Sequence, residues 1–261
     1  MLQRKIAASL VNCPLPLKKA LPKAAALGVE AVELDARGEL KPRDLSQTGL
    51  RQVRKWLEDH QLQVCAVRFQ TRRGYDAPAD LDRRIEATKE AMDFAYRLGA
   101  SVVVNHLGRI PEPQEGPDWE LLLESLRELA NHSAKAGAFL AARTGGESGE
   151  HLAKLFEYLP AGSLGVAFDP GALLAGGHSA SEAVRHLGDK TLHVHARDGL
   201  WEPGLGRGLE TSLGQGAADF PELLGVLEER DYRGYFTVES SNAAGLWSEL
   251  EHAVQFLKAL F

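Results

Sequence analysis

The sequence predicts one parallel (β/α)8 barrel spanning residues 1–261, on three observations. Short apolar runs alternate with helical patterns from end to end, the mark of repeated βα units and a parallel sheet. A length of 261 residues is typical of one such barrel. Polar, chemistry-bearing side chains recur where the apolar runs end, as expected where parallel strands open onto a common face.

The elements follow in order. A first strand over residues 5–10 leads to a helix over 17–27 that stops at Gly28, a residue suited to a left-handed helix end. The second strand, 31–34, delivers Glu33 and Asp35 near its exit. Ser46 is placed to cap a second helix over 46–60. Strand three, 63–69, has Arg68 close to its end, followed by the polar loop Thr71-Arg72-Arg73-Gly74-Tyr75-Asp76. Helix three covers 80–98 and ends at Gly99; strand four, 101–104, empties into Asn105-His106-Leu107-Gly108. A proline-rich stretch, 111–117, is long enough for a rim or lid. Helix four, 118–136, closes at Gly137, and strand five, 138–142, runs into Arg143-Thr144-Gly145-Gly146-Glu147-Ser148. Helix five is expected over 150–158, strand six over 164–168, and a short helix six over 181–187. Strand seven starts at Thr191 and carries His193 and His195. The glycine-rich stretch 199–216 is expected to be a flexible loop over the barrel mouth, with Arg207 within reach of an anionic substrate. Helix seven, 219–230, strand eight, 235–238, and helix eight, 246–260, complete the ring, with Asp219 near the start of helix seven.

Bulk properties narrow the function. A net charge of -6 lacks the basic balance of a nucleic-acid surface. No apolar run reaches membrane-spanning length, and residues 1–5 lack the apolar core of a signal peptide. Cys13 and Cys65 have no metal-type spacing and read as reduced core thiols, which suits the cytoplasm. The expected partner is a small-molecule substrate, with no nucleic acid and no membrane.

Strand seven is the centre of the chemistry. A strand alternates its side chains, so His193 and His195 share a face, and Arg197 continues it. A buried strand ending in imidazoles and a guanidinium is poorly suited to packing alone. In a parallel barrel its exit joins Glu33, Arg68, His106, Arg143, Asp169 and Glu239 at one end. Asp169, His195 and Glu239 offer oxygen, nitrogen and oxygen donors, a set that suits a divalent cation. Structural readings compete: Asp169-Pro170-Gly171 is a turn or helix cap, Glu239 a rim ion pair, and a strand histidine a core residue.

Five stretches together resemble the xylose isomerase-like TIM barrels, the group of sugar isomerases and epimerases related to endonuclease IV. They are Gly28-Val29-Glu30-Ala31-Val32-Glu33-Leu34, Leu164-Gly165-Val166-Ala167-Phe168-Asp169-Pro170-Gly171, His193-Val194-His195-Ala196-Arg197-Asp198, Gly214-Gln215-Gly216 leading to Asp219-Phe220, and Gly234-Tyr235-Phe236-Thr237-Val238-Glu239. The resemblance covers nearly the whole chain and implies a single (β/α)8 TIM barrel. It further implies a divalent metal, Mn, Mg or Zn, held by a strand-five Glu, a strand-six Asp, a strand-seven His and a strand-eight Glu. Asp169, His195 and Glu239 match three of those positions, and Arg197 matches the basic residue that holds a substrate oxygen.

The fourth position departs: Arg143 stands where the glutamate is expected. A fixed guanidinium charge replaces a negative ligand. The expectation is that it pairs with Asp169 and Glu239 and fills or borders the metal space. Glu147 is expected to face solvent at the start of helix five, where acids suit the helix dipole. Endonuclease IV carries a histidine where this chain has Ala172, so the match at His106 does not extend to a DNA-repair role.

The resulting expectation is a sugar isomerase or epimerase that moves a proton next to a carbonyl. Glu239, His195 and Arg143 are the catalytic candidates, and Glu33, His106, His193, Arg197 and Arg207 the substrate-binding ones. His106 and His193 are also candidates to share the proton with Glu239. A lyase or dehydratase reaction on the same scaffold, or a sugar- or acid-binding barrel without turnover, are the alternatives.

Overall fold

Strands made of small and β-branched residues close into a barrel in this computed structural model, which describes residues 5–204 and 206–261. The expectation for the first four residues therefore lies outside the described residues. The strands are β1 (Lys5–Ser9), β2 (Ala31–Asp35), β3 (Gln63–Arg68), β4 (Val102–Asn105), β5 (Phe139–Arg143), β6 (Gly165–Phe168) and β7 (Thr191–Ala196), with β10 (Tyr235–Val238) as the eighth stave. They pair in the closed order β1-β10-β7-β6-β5-β4-β3-β2, each pair parallel. Around them run α1 (Leu17–Ala26), α2 (Gln47–Asp59), α3 (Leu81–Arg97), α4 (Pro117–Ala136), α5 (Gly149–Phe156), α6 (Pro170–Ala175), α7 (Ala180–Leu187), α8 (Phe220–Glu229) and α9 (Leu246–Leu260). Among the described residues no helix is long and apolar enough to cross a membrane.

Two cores hold the barrel. Leucines such as Leu21, Leu126, Leu155 and Leu257 fill the layer between strands and helices. The lumen is different. Ala7, Ala31, Ala66, Ala141 and Ala167 line it with Cys65, Val102 and Val104. Branched side chains ordinarily fill a barrel of this size. These short ones leave the upper lumen to larger polar groups. Cys65 is buried in the lumen, its Sγ 3.6 Å from Thr237 Oγ1, whereas Cys13, expected in the core, is only partly buried.

Local signals act where the sequence places them. Ser46 Oγ accepts from the Gly49 amide at 3.1 Å and caps α2; Asp219 Oδ1 accepts from Glu222 N at 3.0 Å and caps α8. The proline-rich stretch is a rim tied to α5, with Gln114 Nε2 donating to the His151 carbonyl at 3.3 Å. One short helix, α6, was not expected: Asp169 caps it immediately after β6.

The glycine-rich stretch 199–216 is not a flexible loop. β8 (Asp198–Glu202) and β9 (Arg207–Thr211) form an antiparallel hairpin that packs on α6. The glycines permit close approach rather than mobility. A Cβ on Gly208 would lie 2.1 Å from Ala175 Cα, and one on Gly216 would lie 2.1 Å from Asp198 Oδ1. Asp198 anchors the whole arm. Its carboxylate accepts from the amides of Gly199 (2.8 Å), Gly214 (3.1 Å), Gly216 (2.9 Å) and Ala218 (3.0 Å).

Candidate active site

Three carboxylates and three guanidinium groups meet at the C-terminal end of the barrel. Arg68, from the end of β3, lies at the middle. It donates to Glu33 (Nε–Oε1 3.3 Å, Nη2–Oε2 3.0 Å) and to Glu239 (Nη1–Oε1 2.6 Å, Nη2–Oε2 2.9 Å). Its Nη2 is also 2.8 Å from His195 Nε2. Ser9 Oγ donates to Glu33 at 2.6 Å, and His195 Nε2 lies 3.0 Å from Glu33 Oε1. This buried arginine is a site residue that sequence reasoning noted at a strand exit but gave no role.

Arg143 stands where the sequence led us to expect it, between Asp169 and Glu239. Its Nε and Nη2 reach Asp169 Oδ2 at 3.0 and 2.7 Å, and Nη2 reaches Glu239 Oε2 at 3.3 Å. Arg197 Nη1 donates to the same Asp169 oxygen at 2.9 Å. Asp169 Oδ1 is occupied separately, accepting from Ala172 N at 2.8 Å to cap α6. Asp169 therefore caps α6 through one oxygen and pairs with Arg143 and Arg197 through the other. Glu210 of the hairpin joins the cluster through Arg197 Nη2 at 2.6 Å. Glu210 carries no sequence signal of its own, because only the β9 pairing brings it over the mouth.

Burial and charge set the protonation. Burial alone raises a carboxyl pKa, yet Arg68 and His195 hold Glu33 well below its ordinary value. Against the same effect, Arg197 and Arg143 hold Asp169 far down, and Arg68 and Arg143 hold Glu239 at about 2. His193 is pushed down to about 3 by burial and by the neighbouring His195. All three carboxylates bind fewer protons folded than unfolded between about pH 4 and 2. Stability is therefore full at neutral pH and falls as pH drops through that window. His193 adds a shallower loss that begins as pH falls below about 6.5, where the unfolded histidine takes up a proton that the folded one refuses. We expect the urea midpoint to decline gently from about pH 6.5 and steeply below about pH 4; a decline with no added steepness below about pH 4 would show that the carboxylates are not engaged.

The remaining expected site residues divide between the cluster and its surroundings. His193 and His195 share a face, with ring centroids 4.7 Å apart. Glu33 and His193 are fully buried, and both oxygens of Glu33 accept from Arg68. A histidine held neutral at about 3 is also no proton carrier at pH 7. His106 sits at the rim, its Nε2 donating to the Thr71 carbonyl at 2.7 Å. Arg207 lies at the outer end of the hairpin opposite Glu202, exposed; among the described residues it makes no contact with the cluster. Glu147 is half-buried rather than solvent-facing. It accepts from Ile110 N at 3.4 Å, and burial raises its pKa.

The donor set was tested for a divalent ion. Two groups, Asp169–His195–Glu239 and Glu33–His193–His195, bring ligand atoms within 4.8 Å of one another. In the first, Asp169 Oδ2 and both Glu239 oxygens already accept from arginines, and His195 Nε2 faces Arg68 Nη2. In the second, both Glu33 oxygens are taken by Arg68. Counting Glu210, three fixed cations face four carboxylates, each of which already accepts from an arginine. A divalent ion about 4 Å from one guanidinium is repelled by roughly 8 kcal/mol at an effective dielectric near 20. In this arrangement the residues do not fit a divalent metal.

Relatives share the architecture. An inosose dehydratase of Clostridium perfringens is 25% identical over 251 residues, covering 85% of this chain and 82% of that protein. A xylose isomerase domain protein from Planctomyces limnophilus superposes with a TM-score of 0.85 at 25% identity, covering 98% of this chain and 96% of that one. A D-allulose 3-epimerase from Methylomonas sp., solved with D-allulose, superposes with a TM-score of 0.74 at 17% identity, covering 100% and 98%. The family model described as "Xylose isomerase-like TIM barrel" matches residues 21–260. With the closed parallel barrel and its strand-exit cluster, that match makes this chain a member of the xylose isomerase-like TIM barrel family.

Proposed function

We propose that the protein is a sugar-processing enzyme that moves a proton beside the carbonyl of a small polyhydroxylated substrate, with guanidinium groups rather than a metal ion polarising that carbonyl. One observation carries this reading. Arg197 Nε is a buried donor with no hydrogen-bond partner, and it lies 4.0 Å from Glu239 Oε2. It marks a place for a substrate oxygen next to a carboxylate. Arg143 and Arg197 are also the most open members of the central cluster, with 20% and 14% of their side chains exposed against 4% for Glu239. A ligand at the mouth meets these two planar cations first.

The chemistry follows from that placement. Glu239 is ionised at neutral pH and takes the proton from the carbon beside the carbonyl. Charge that develops on the carbonyl oxygen is held by Arg143 and Arg197, fixed donors that need no rearrangement. The enediolate then takes a proton back, giving an isomer or epimer. Alternatively it expels a neighbouring hydroxyl, which leaves as water with the proton from Glu239. The second outcome gains weight from the inosose dehydratase relative.

The second reading, binding without turnover, is favoured by one specific observation. A carboxylate held at about 2 is a weak base against an optimum near the working pH. Incubation in heavy water with inososes and ketohexoses separates the two. We expect deuterium next to the carbonyl, or loss of water, in at least one compound. The signal should vanish in Glu239→Gln and survive a chelator. A ligand-induced rise in Tm with no exchange across the panel establishes the binding reading instead, and loss of activity to the chelator overturns the guanidinium assignment.

A further inference from the structure

We propose that the cleft beside the barrel mouth, between the loops after β2 and β3 and the start of α3, binds a small phosphate-bearing anion. This inference does not depend on the reaction proposed above. The cleft has a volume of about 540 Å³, room for a phosphorylated sugar. Its charge is opposite to that of the chain. Seven cationic side chains line it against three acidic ones, in a protein whose net charge is -6. Arg43 is tied to Glu90 at 2.5 Å. Lys41, Arg72, Arg73 and Arg83, in contrast, have no carboxylate partner within 4 Å among the described residues.

Unpaired arginines gathered on a concave wall concentrate potential and attract anions. A planar guanidinium matches two phosphate oxygens at once.

Two further features point to a ligand rather than to a solvated charge run. Arg84 is nine-tenths buried on the cleft wall and fixed by the carbonyls of Ala77 and Ala79. Its Nε nevertheless has no partner. Its charge, held on the wall by neutral carbonyls rather than by a carboxylate, adds to the positive potential of the cleft. The start of α3 lies on the same cleft. Asp80, in the left-handed region at φ 56°, precedes that helix and makes no side-chain cap bond to it. Leu81 N donates to the Pro78 carbonyl at 3.2 Å, which leaves the amides of Asp82 and Arg83 as the first-turn donors for a phosphoryl oxygen. The floor is Phe69, with the Arg37 guanidinium 5.4 Å from its ring centroid, an apolar surface for the organic part of the ligand.

Titration calorimetry at low ionic strength, with glucose 6-phosphate, inorganic phosphate and glucose as probes, tests the site. We expect saturable binding of at least one phosphate species and none of glucose. Affinity should fall by about tenfold or more in the exposed double variant Arg72→Ala/Arg73→Ala. It should hold in Arg127→Ala/Lys135→Ala, two exposed cations on α4. Binding of the ester but not of inorganic phosphate assigns the site to a phosphorylated organic molecule; binding of both assigns it to the phosphoryl group itself. Four results overturn the proposal: no saturable binding of either phosphate species, equal affinity for glucose, unchanged affinity in the loop variant, or equal loss in the α4 variant. A single-stranded oligonucleotide that outcompetes the ester also overturns it, in favour of a nucleic-acid surface.

Discussion

Replacing Arg68 with methionine is expected to destabilise the fold by about 3–5 kcal/mol, the usual loss when one partner of a buried ion pair is removed. The side chain is 4% exposed and neutralises Glu33 and Glu239, which are 0% and 4% exposed. Methionine fills much of the space but provides no N–H group. Two carboxylates then lose their main cation and must either stay ionised in a poorly solvated place or take up protons. For a chain of this length the loss corresponds to a fall in Tm of roughly 6–20 °C. Thermal and urea unfolding measure it directly. Adding Glu33→Gln to the same variant should return part of the loss, because it removes one stranded charge. A single variant as stable as the parent would show that Arg68 is not the hub of the network.

Replacing Arg143 with glutamate should create the metal site that the parent lacks. Arg143 donates to Asp169 and Glu239 at 2.7 and 3.3 Å, so its removal takes one of two guanidinium donors from Asp169 Oδ2 and from Glu239 Oε2, with Arg197 and Arg68 remaining on them. With Glu210 counted, the change also turns three cations and four anions into two cations and five anions, an excess of three negative charges. Mn²⁺ should then stabilise the variant by about 2.7 kcal/mol at one hundred times its Kd. That corresponds to a Tm rise of roughly 5–10 °C. A chelator should reverse the rise, and the parent should show none. An equal response in the parent would show that the guanidinium does not exclude the ion.

These expectations rest on a site that was partly legible in the sequence. The barrel was legible because apolar runs and helical patterns keep their period without interruption. The convergence of Arg143, Asp169, His195, Arg197 and Glu239 was legible because parallel strands deliver their last residues to one face. The choice of partners was not. Arg68 closes a strand as plainly as Arg143 does, but β2 and β3, which carry Glu33 and Arg68, change register between Val32 and Glu33. No residue pattern announces that shift. The hairpin was missed for a related reason. Glycine signals both mobility and close approach, and only the neighbour decides which. Gly208 faces the backbone of Ala175, a contact made by a helix that was itself unexpected.

The grip of Asp198 has a consequence for how this arm can change. Its four amide bonds hold the root of the hairpin, on the side nearest the mouth, while Glu202 and Arg207 stand at the far tip. Residues can be inserted at that tip, or its composition changed, without moving Glu210 from Arg197. The arm can therefore vary at its extremity as a graft does, while the chemistry below keeps its dimensions.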